Sequence, residues 1–206
     1  MALNQTLLRL FATKGAPTMA LRPVLCYLFF SLSGIPCAQA VEYNTILVDK
    51  SSLVFAYKQM GVTMEGRFKK FAIQFSFDPS KPAAAKALVD LDLSGIDAGS
   101  TEANEEVAGK AWFNTKAFPQ ARFVATAIKP VGGNRYDVTG KLSIKGHTQE
   151  VNAPFTLAMQ GNTAVFEGSF GIKRADFAIG EGVWADFGTI ANEIQIKFRF
   201  LAAAGK

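Results

Sequence analysis

From Phe71 to Phe77 every second residue is large and apolar (Phe71, Ile73, Phe75, Phe77), while Ala72, Gln74 and Ser76 between them are small or polar. A period of two predicts a strand with one dry face and one face that tolerates water. It makes 66–78 the segment around which the chain is organised. Similar alternation recurs on both sides of it. Residues 41–48 read as a first strand and 49–52 as a turn. Leu53, Phe55, Tyr57 and Gln59 alternate with Val54, Ala56 and Lys58 until Met60 and Gly61 close the run. After a loop punctuated by Pro79 and Pro82, Ala87, Val89, Leu91 and Leu93 share one parity, with Asp90 and Asp92 on the other. Residues 95–100 read as loop. A helix is predicted over 101–113, capped by Ser100 or Thr101. Glu102, Glu105 and Glu106 lie early, where the helix dipole favours acids, and Trp112 and Phe113 pin its end to the sheet.

Four more alternating runs follow, parted by turn residues. Phe123, Ala125 and Ala127 lead into Gly132, Gly133 and Asn134, a strong hairpin signal. Val138, Gly140, Leu142 and Ile144 lead into Lys145 and Gly146, and Val151, Ala153, Phe155, Leu157 and Met159 into Gly161 and Asn162. Phe166, Gly168, Phe170 and Ile172 precede Lys173 to Phe177. Beyond a glycine-rich loop with Trp184, a last run carries Ile194, Ile196, Phe198 and Phe200. About eight strands joined by short turns imply an antiparallel sheet. One short helix cannot cover its apolar face, so the expected fold is all-β: a single eight-stranded antiparallel barrel with one short helix in a loop, a sandwich being second. A barrel of that size is filled by side chains or holds one ligand.

The first 40 residues fall outside this pattern. Arg22 precedes a short apolar run that ends in Ala38, Gln39 and Ala40, the form of a secretory signal cleaved after Ala40. Met19 is a natural start for it, with 1–18 an over-long beginning. The folded domain is then 41–206, periplasmic or secreted. Both cysteines, Cys26 and Cys37, leave with the signal, so no disulfide or thiolate metal site is expected. Arg9, Lys14 and Arg22 leave as well, lowering the formal charge of +5 by three. Nothing in this charge balance points to nucleic acid.

Chemistry is sparse. A single histidine, His147, sits in a turn and reads as a solvated residue without the partners a metal needs. Asp90 and Asp92 mark the wet face of a strand, and Glu105 and Glu106 a helix surface. The glycines at 180 and 182 lack the pattern of a nucleotide loop. An enzyme is not expected and no cofactor is implied. Arg174 and Asp176 at a strand end are expected to pair and tie that end to a loop; the alternative gives Arg174 a headgroup at a cavity mouth. What remains is aromatic: all but Phe11, Phe29 and Phe30 of the 18 phenylalanines stay in the domain, most at inward parity. The inward set expected to meet a ligand is Phe55, Tyr57, Phe71, Phe75, Phe123, Leu142, Ile144, Phe155, Leu157, Phe166, Phe170, Ile196 and Phe198. A self-filled core is the competing outcome of the same pattern.

Several stretches, in order, resemble the YceI-like family of secreted polyisoprenoid-binding proteins: 60–71, 77–79, 112–119 with Phe123, 138–146, and Arg174 to Phe177. The resemblance spans Tyr43 to about Phe200. It implies a lipocalin-like barrel whose bore holds a long isoprenoid chain, such as a quinone tail or polyprenyl lipid. It further implies a quinone-linked role beside a membrane cytochrome of the b561 type; assembly as a homodimer is left open. Where many members carry histidine this chain has Lys50 and Gln59, and Ile73 stands where a small residue is usual. A hydrolase or isomerase acting on the lipid would need a polar cluster in the bore, for which Tyr57 and Gln59 are the candidates.

Overall fold

Alternation becomes strand almost wherever it is long, and a computed structural model describes the result for residues 41–205; the expected signal segment lies outside the described residues. The strands are β1 (Tyr43–Ile46), β2 (Ser52–Gln59), β3 (Val62–Phe68), β4 (Phe71–Ser76), β5 (Lys86–Asp92) and β6 (Ile96–Asp97), then β7 (Gln120–Gly132), β8 (Arg135–Ile144), β9 (His147–Gln160), β10 (Thr163–Lys173) and β11 (Glu193–Ala204). The helix α1 spans Thr101–Ala108. All strands join one antiparallel sheet in the order β4-β5-β7-β8-β9-β10-β11-β2-β3-β6.

The sheet curls until its ends meet, and β11 is the hinge of that closure. The stretch from Gln195 to Arg199 pairs with β2, whereas Ala202 to Ala204 pair with β1. β1 in turn reaches the opposite edge of the sheet. Tyr43 N donates to Phe77 O at 2.9 Å and Phe77 N to Tyr43 O at 3.0 Å, immediately after β4. Eight strands therefore run round this end, and β2, β3 and β6 take the place of β1 at the other. The expected count of eight is thus corrected to eleven. β3 escaped because its residues from Val62 to Glu65 are all exposed and give no dry face; β6 is two residues long.

Two further boundaries differ. The organising segment is broken at Lys69 and Lys70, where Lys69 N donates to Gly95 O and Asp92 N to Lys70 O, so Gly66 to Phe68 belong to β3. α1 is capped by Ser100, whose hydroxyl accepts from Ala103 N at 3.1 Å, but it ends at Ala108, with Gly109 as its C-cap, rather than at 113. Asn114, at φ 49°, turns the chain instead.

The closed end is plugged by rings. Tyr43 and Phe77 are 1% and 0% exposed. Phe77 stands edge-on to Phe166 at 5.3 Å and to Tyr136 at 5.2 Å between centroids, a favoured aromatic geometry.

Candidate functional site

Above the plug the inner face does not meet itself. It encloses a cavity of about 500 Å³, within the size range of small-molecule sites. Two strands show how parity builds the wall: Leu53, Phe55, Tyr57 and Gln59 from β2 line it, as do Ile194, Ile196, Phe198 and Phe200 from β11.

Three inward glycines keep the bore open. A Cβ on Gly66 would strike the Phe55 ring, one on Gly140 the Phe123 ring, and one on Gly168 both the Phe198 ring and the Pro154 carbonyl. Phe55 lies directly across from Gly66, and Phe198 from Gly168. Each ring therefore folds against its glycine neighbour instead of projecting across the bore. Gly168→Ala is expected to cost about 1–3 kcal/mol by overpacking, because the Pro154 carbonyl is backbone and cannot swing aside. Gly171→Ala, whose Cβ would approach only Gln195 Oε1 at 4.0 Å, should leave the urea midpoint nearly unchanged. Equal midpoints for the two variants would contradict this account.

Of the thirteen residues expected inward, eleven line the cavity; Phe71 and Leu157 do not. Phe71 follows the corner at Lys69 and Lys70, and its ring packs on Phe200 at 6.1 Å. Leu157, 5% exposed, is opposite Phe166 and belongs to the plug. Both lie on the apolar side of the sheet, so parity is right and depth is wrong. Gln59 and Ile73 line the wall, while Lys50 lies exposed in a 3-10 turn after β1.

Polar lining is confined to one end. Tyr57 and Gln59 line the end of β2, where Gln59 bridges to Ile190 on the loop that carries Trp184, and Glu102 and Glu106 of α1 are at once cavity-lining and exposed, which marks the mouth. Glu106, read from sequence as helix surface, is thus also rim, whereas Glu105 does not line the cavity. Trp184 Nε1 donates to Glu106 Oε1 at 2.6 Å, and its ring lies 5.6 Å from that of Trp112. The Trp112 N–H is buried with no acceptor among the described residues. Burial pushes the Tyr57 hydroxyl pKa up, so it stays a neutral donor.

Arg174 is 1% exposed and does not pair with Asp176. Its Nε donates to Ala191 O at 3.2 Å and Nη1 to Ile179 O and Gly180 O at 2.9 and 2.8 Å. Nη2 donates to Trp184 O and Ile190 O at 2.7 and 2.9 Å. All five N–H groups of the fork are thereby used, and they hold the loop from 178 to 191 against the barrel. Gly180, at φ +77°, is needed because a Cβ there would overlap the guanidinium. Burial draws the guanidinium pKa down, with Asp186 opposing the shift. The acid that faces Arg174 is therefore Asp186.

Lys145 was missed as anything but a turn residue. It is 8% exposed, and its Nζ donates to Lys110 O, Ala178 O and Glu181 Oε2 at 3.0, 2.6 and 2.7 Å. That contact holds the Glu181 carboxyl below its ordinary range. His147 is exposed at the start of β9. Among the described residues no three His, Cys, Asp or Glu side chains converge to hold a metal.

Comparison with known proteins agrees with this architecture. Among solved structures the chain is similar to Burkholderia cenocepacia BcnA, at 46% identity and a TM-score of 0.75, over 77% of this chain and 99% of that one. A polyisoprenoid binding domain from Saccharophagus degradans shares the fold, with a TM-score of 0.62 at 16% identity over 81% of this chain and 99% of that one. A UPF0312 protein of Yersinia pestis is 32% identical over 170 residues, which are 77% of this chain and 84% of the relative. The YceI-like domain matches residues 45–202, and the chain belongs to the YceI-like family.

Proposed function

We propose that this protein holds a long isoprenoid chain, a polyprenyl lipid or the tail of an isoprenoid quinone, non-covalently in its bore. The observation that carries the reading is the cavity: apolar along its length, plugged by rings at one end and rimmed by polar groups at the other. Each buried CH₂ contributes about 0.8 kcal/mol, so some ten of them supply about 8 kcal/mol. That is a micromolar constant before the costs of association. The Saccharophagus relative is described as polyisoprenoid-binding, which supports the same class of ligand here. Binding rather than catalysis fits the wall, whose lining is apolar apart from Tyr57, Gln59, Arg174 and the two rim glutamates. The proposal includes export after Ala40 and a lipid held for storage, transport or presentation; the alternative is a partner protein of a membrane cytochrome of the b561 type in quinone-linked electron transfer.

Solvent extraction and mass spectrometry of the protein, purified after export from a bacterial host, test the reading. A stoichiometric prenyl species is the expected result. A clean extract from well-folded protein that also takes up no added quinone would mean that the phenylalanines only fill their own barrel.

A further inference from the structure

The charged groups at the mouth are exposed acids and buried cations. Among the cavity-lining residues Arg174 is the single cation, and all five of its N–H groups are committed to backbone carbonyls. Lys145, the other buried cation, has all three of its donors occupied by Lys110 O, Ala178 O and Glu181. Neither can turn to a phosphate without abandoning the loop it holds. The charges that do face the opening are Glu102 and Glu106, on one side of α1 at i and i+4. An anionic headgroup there meets like charge, with no uncommitted cation among the described residues that line the cavity.

Neutral donors stand at the same end. Tyr57 offers a hydroxyl and Gln59 an amide. Trp112, only 9% exposed, adds an apolar ring to the wall, its own N–H being shielded from the bore.

We propose that Glu102 and Glu106 make the mouth selective against phosphate and diphosphate headgroups. Tyr57 and Gln59 favour an uncharged headgroup that presents oxygen acceptors, as a quinone, phenol or alcohol does. The inference rests on the isoprenoid-binding reading and narrows it: prenyl quinones and polyprenols are taken, prenyl phosphates are refused.

Three probes with one tail isolate the headgroup: menaquinone-4, geranylgeraniol and geranylgeranyl phosphate. Quenching of Trp112 and Trp184, the two tryptophans of the chain, reports menaquinone-4, and the other two compete with it. Geranylgeraniol is expected to displace the quinone at a concentration about tenfold or more below that of the phosphate. In a Glu102→Gln, Glu106→Gln double variant, which removes both charges yet keeps an oxygen that can accept from Trp184 Nε1, the gap should shrink to about threefold or less. A phosphate that competes as well as the alcohol, or a gap the double variant leaves unchanged, overturns the proposal while leaving the carrier reading intact. Failure of all three probes to bind folded protein overturns the carrier reading itself.

Discussion

Replacing Arg174 with methionine is expected to be the most damaging single change in the domain. The side chain volume is roughly kept, yet five carbonyls, on Ile179, Gly180, Trp184, Ile190 and Ala191, lose their donor together. A buried acceptor left without a partner costs about 1–3 kcal/mol, so even two that cannot turn to water cost about 2–6 kcal/mol. That is a large part of the about 5–15 kcal/mol by which a domain is stable. The urea midpoint should fall accordingly, and proteolysis should begin in the stretch from 178 to 191, which has no strand of its own. Arg174→Lys keeps the charge but offers three donors in place of the planar fork, so it should fall between wild type and methionine. A methionine variant within about 0.5 kcal/mol of wild type, the range of an ordinary surface change, would show that the loop is held by its apolar contacts instead.

The partners of Arg174 are not legible in the sequence. A sequence places Arg174 two residues from Asp176 and makes a pair of them, because charge is visible in a sequence and backbone carbonyls are not. The five acceptors come from a loop with no periodicity, folded back through glycines at positive φ. Lys145 failed to show for the same reason: two of its three partners are carbonyls. Parity was the readable part. Phe55, Tyr57, Phe123, Phe170 and Phe198 could be assigned to the inner face because a strand repeats every two residues whatever it packs against. Depth along the bore could not. Leu157 and Phe155 share a parity, and only the bridge from Tyr43 to Phe77, a pairing of residues far apart in sequence, puts Leu157 in the plug and leaves Phe155 on the cavity wall. Nor does parity say whether an inner face is full. The three glycines that let rings lie flat are visible at 66, 140 and 168, but their partners come from neighbouring strands, and those are known only once register is.

Phe75→Asp is the change expected to empty the bore. Phe75 lies on β4 at the junction of cavity and plug, with its ring edge-on to Phe166 at 4.8 Å and stacked on Phe77 at 6.1 Å. It is only half-buried, so the barrel can keep its strands when the ring is lost, whereas a carboxylate in its place faces the path of the tail. An apolar chain moving onto that carboxylate would strip its water, at a cost of several kcal/mol with no cation near to repay it. Because each 1.4 kcal/mol is a factor of ten, affinity for a prenyl tail should drop about a hundredfold or more, and no lipid should survive purification. Phe75→Leu, apolar and somewhat smaller, should retain it. The comparison requires both variants to show the near-ultraviolet circular dichroism of the wild type, which checks that the rings are still packed. If the folded aspartate variant carries its prenyl lipid through purification, the tail does not pass Phe75, and the ligand must lie wholly in the outer half of the cavity between Tyr57 and Trp184.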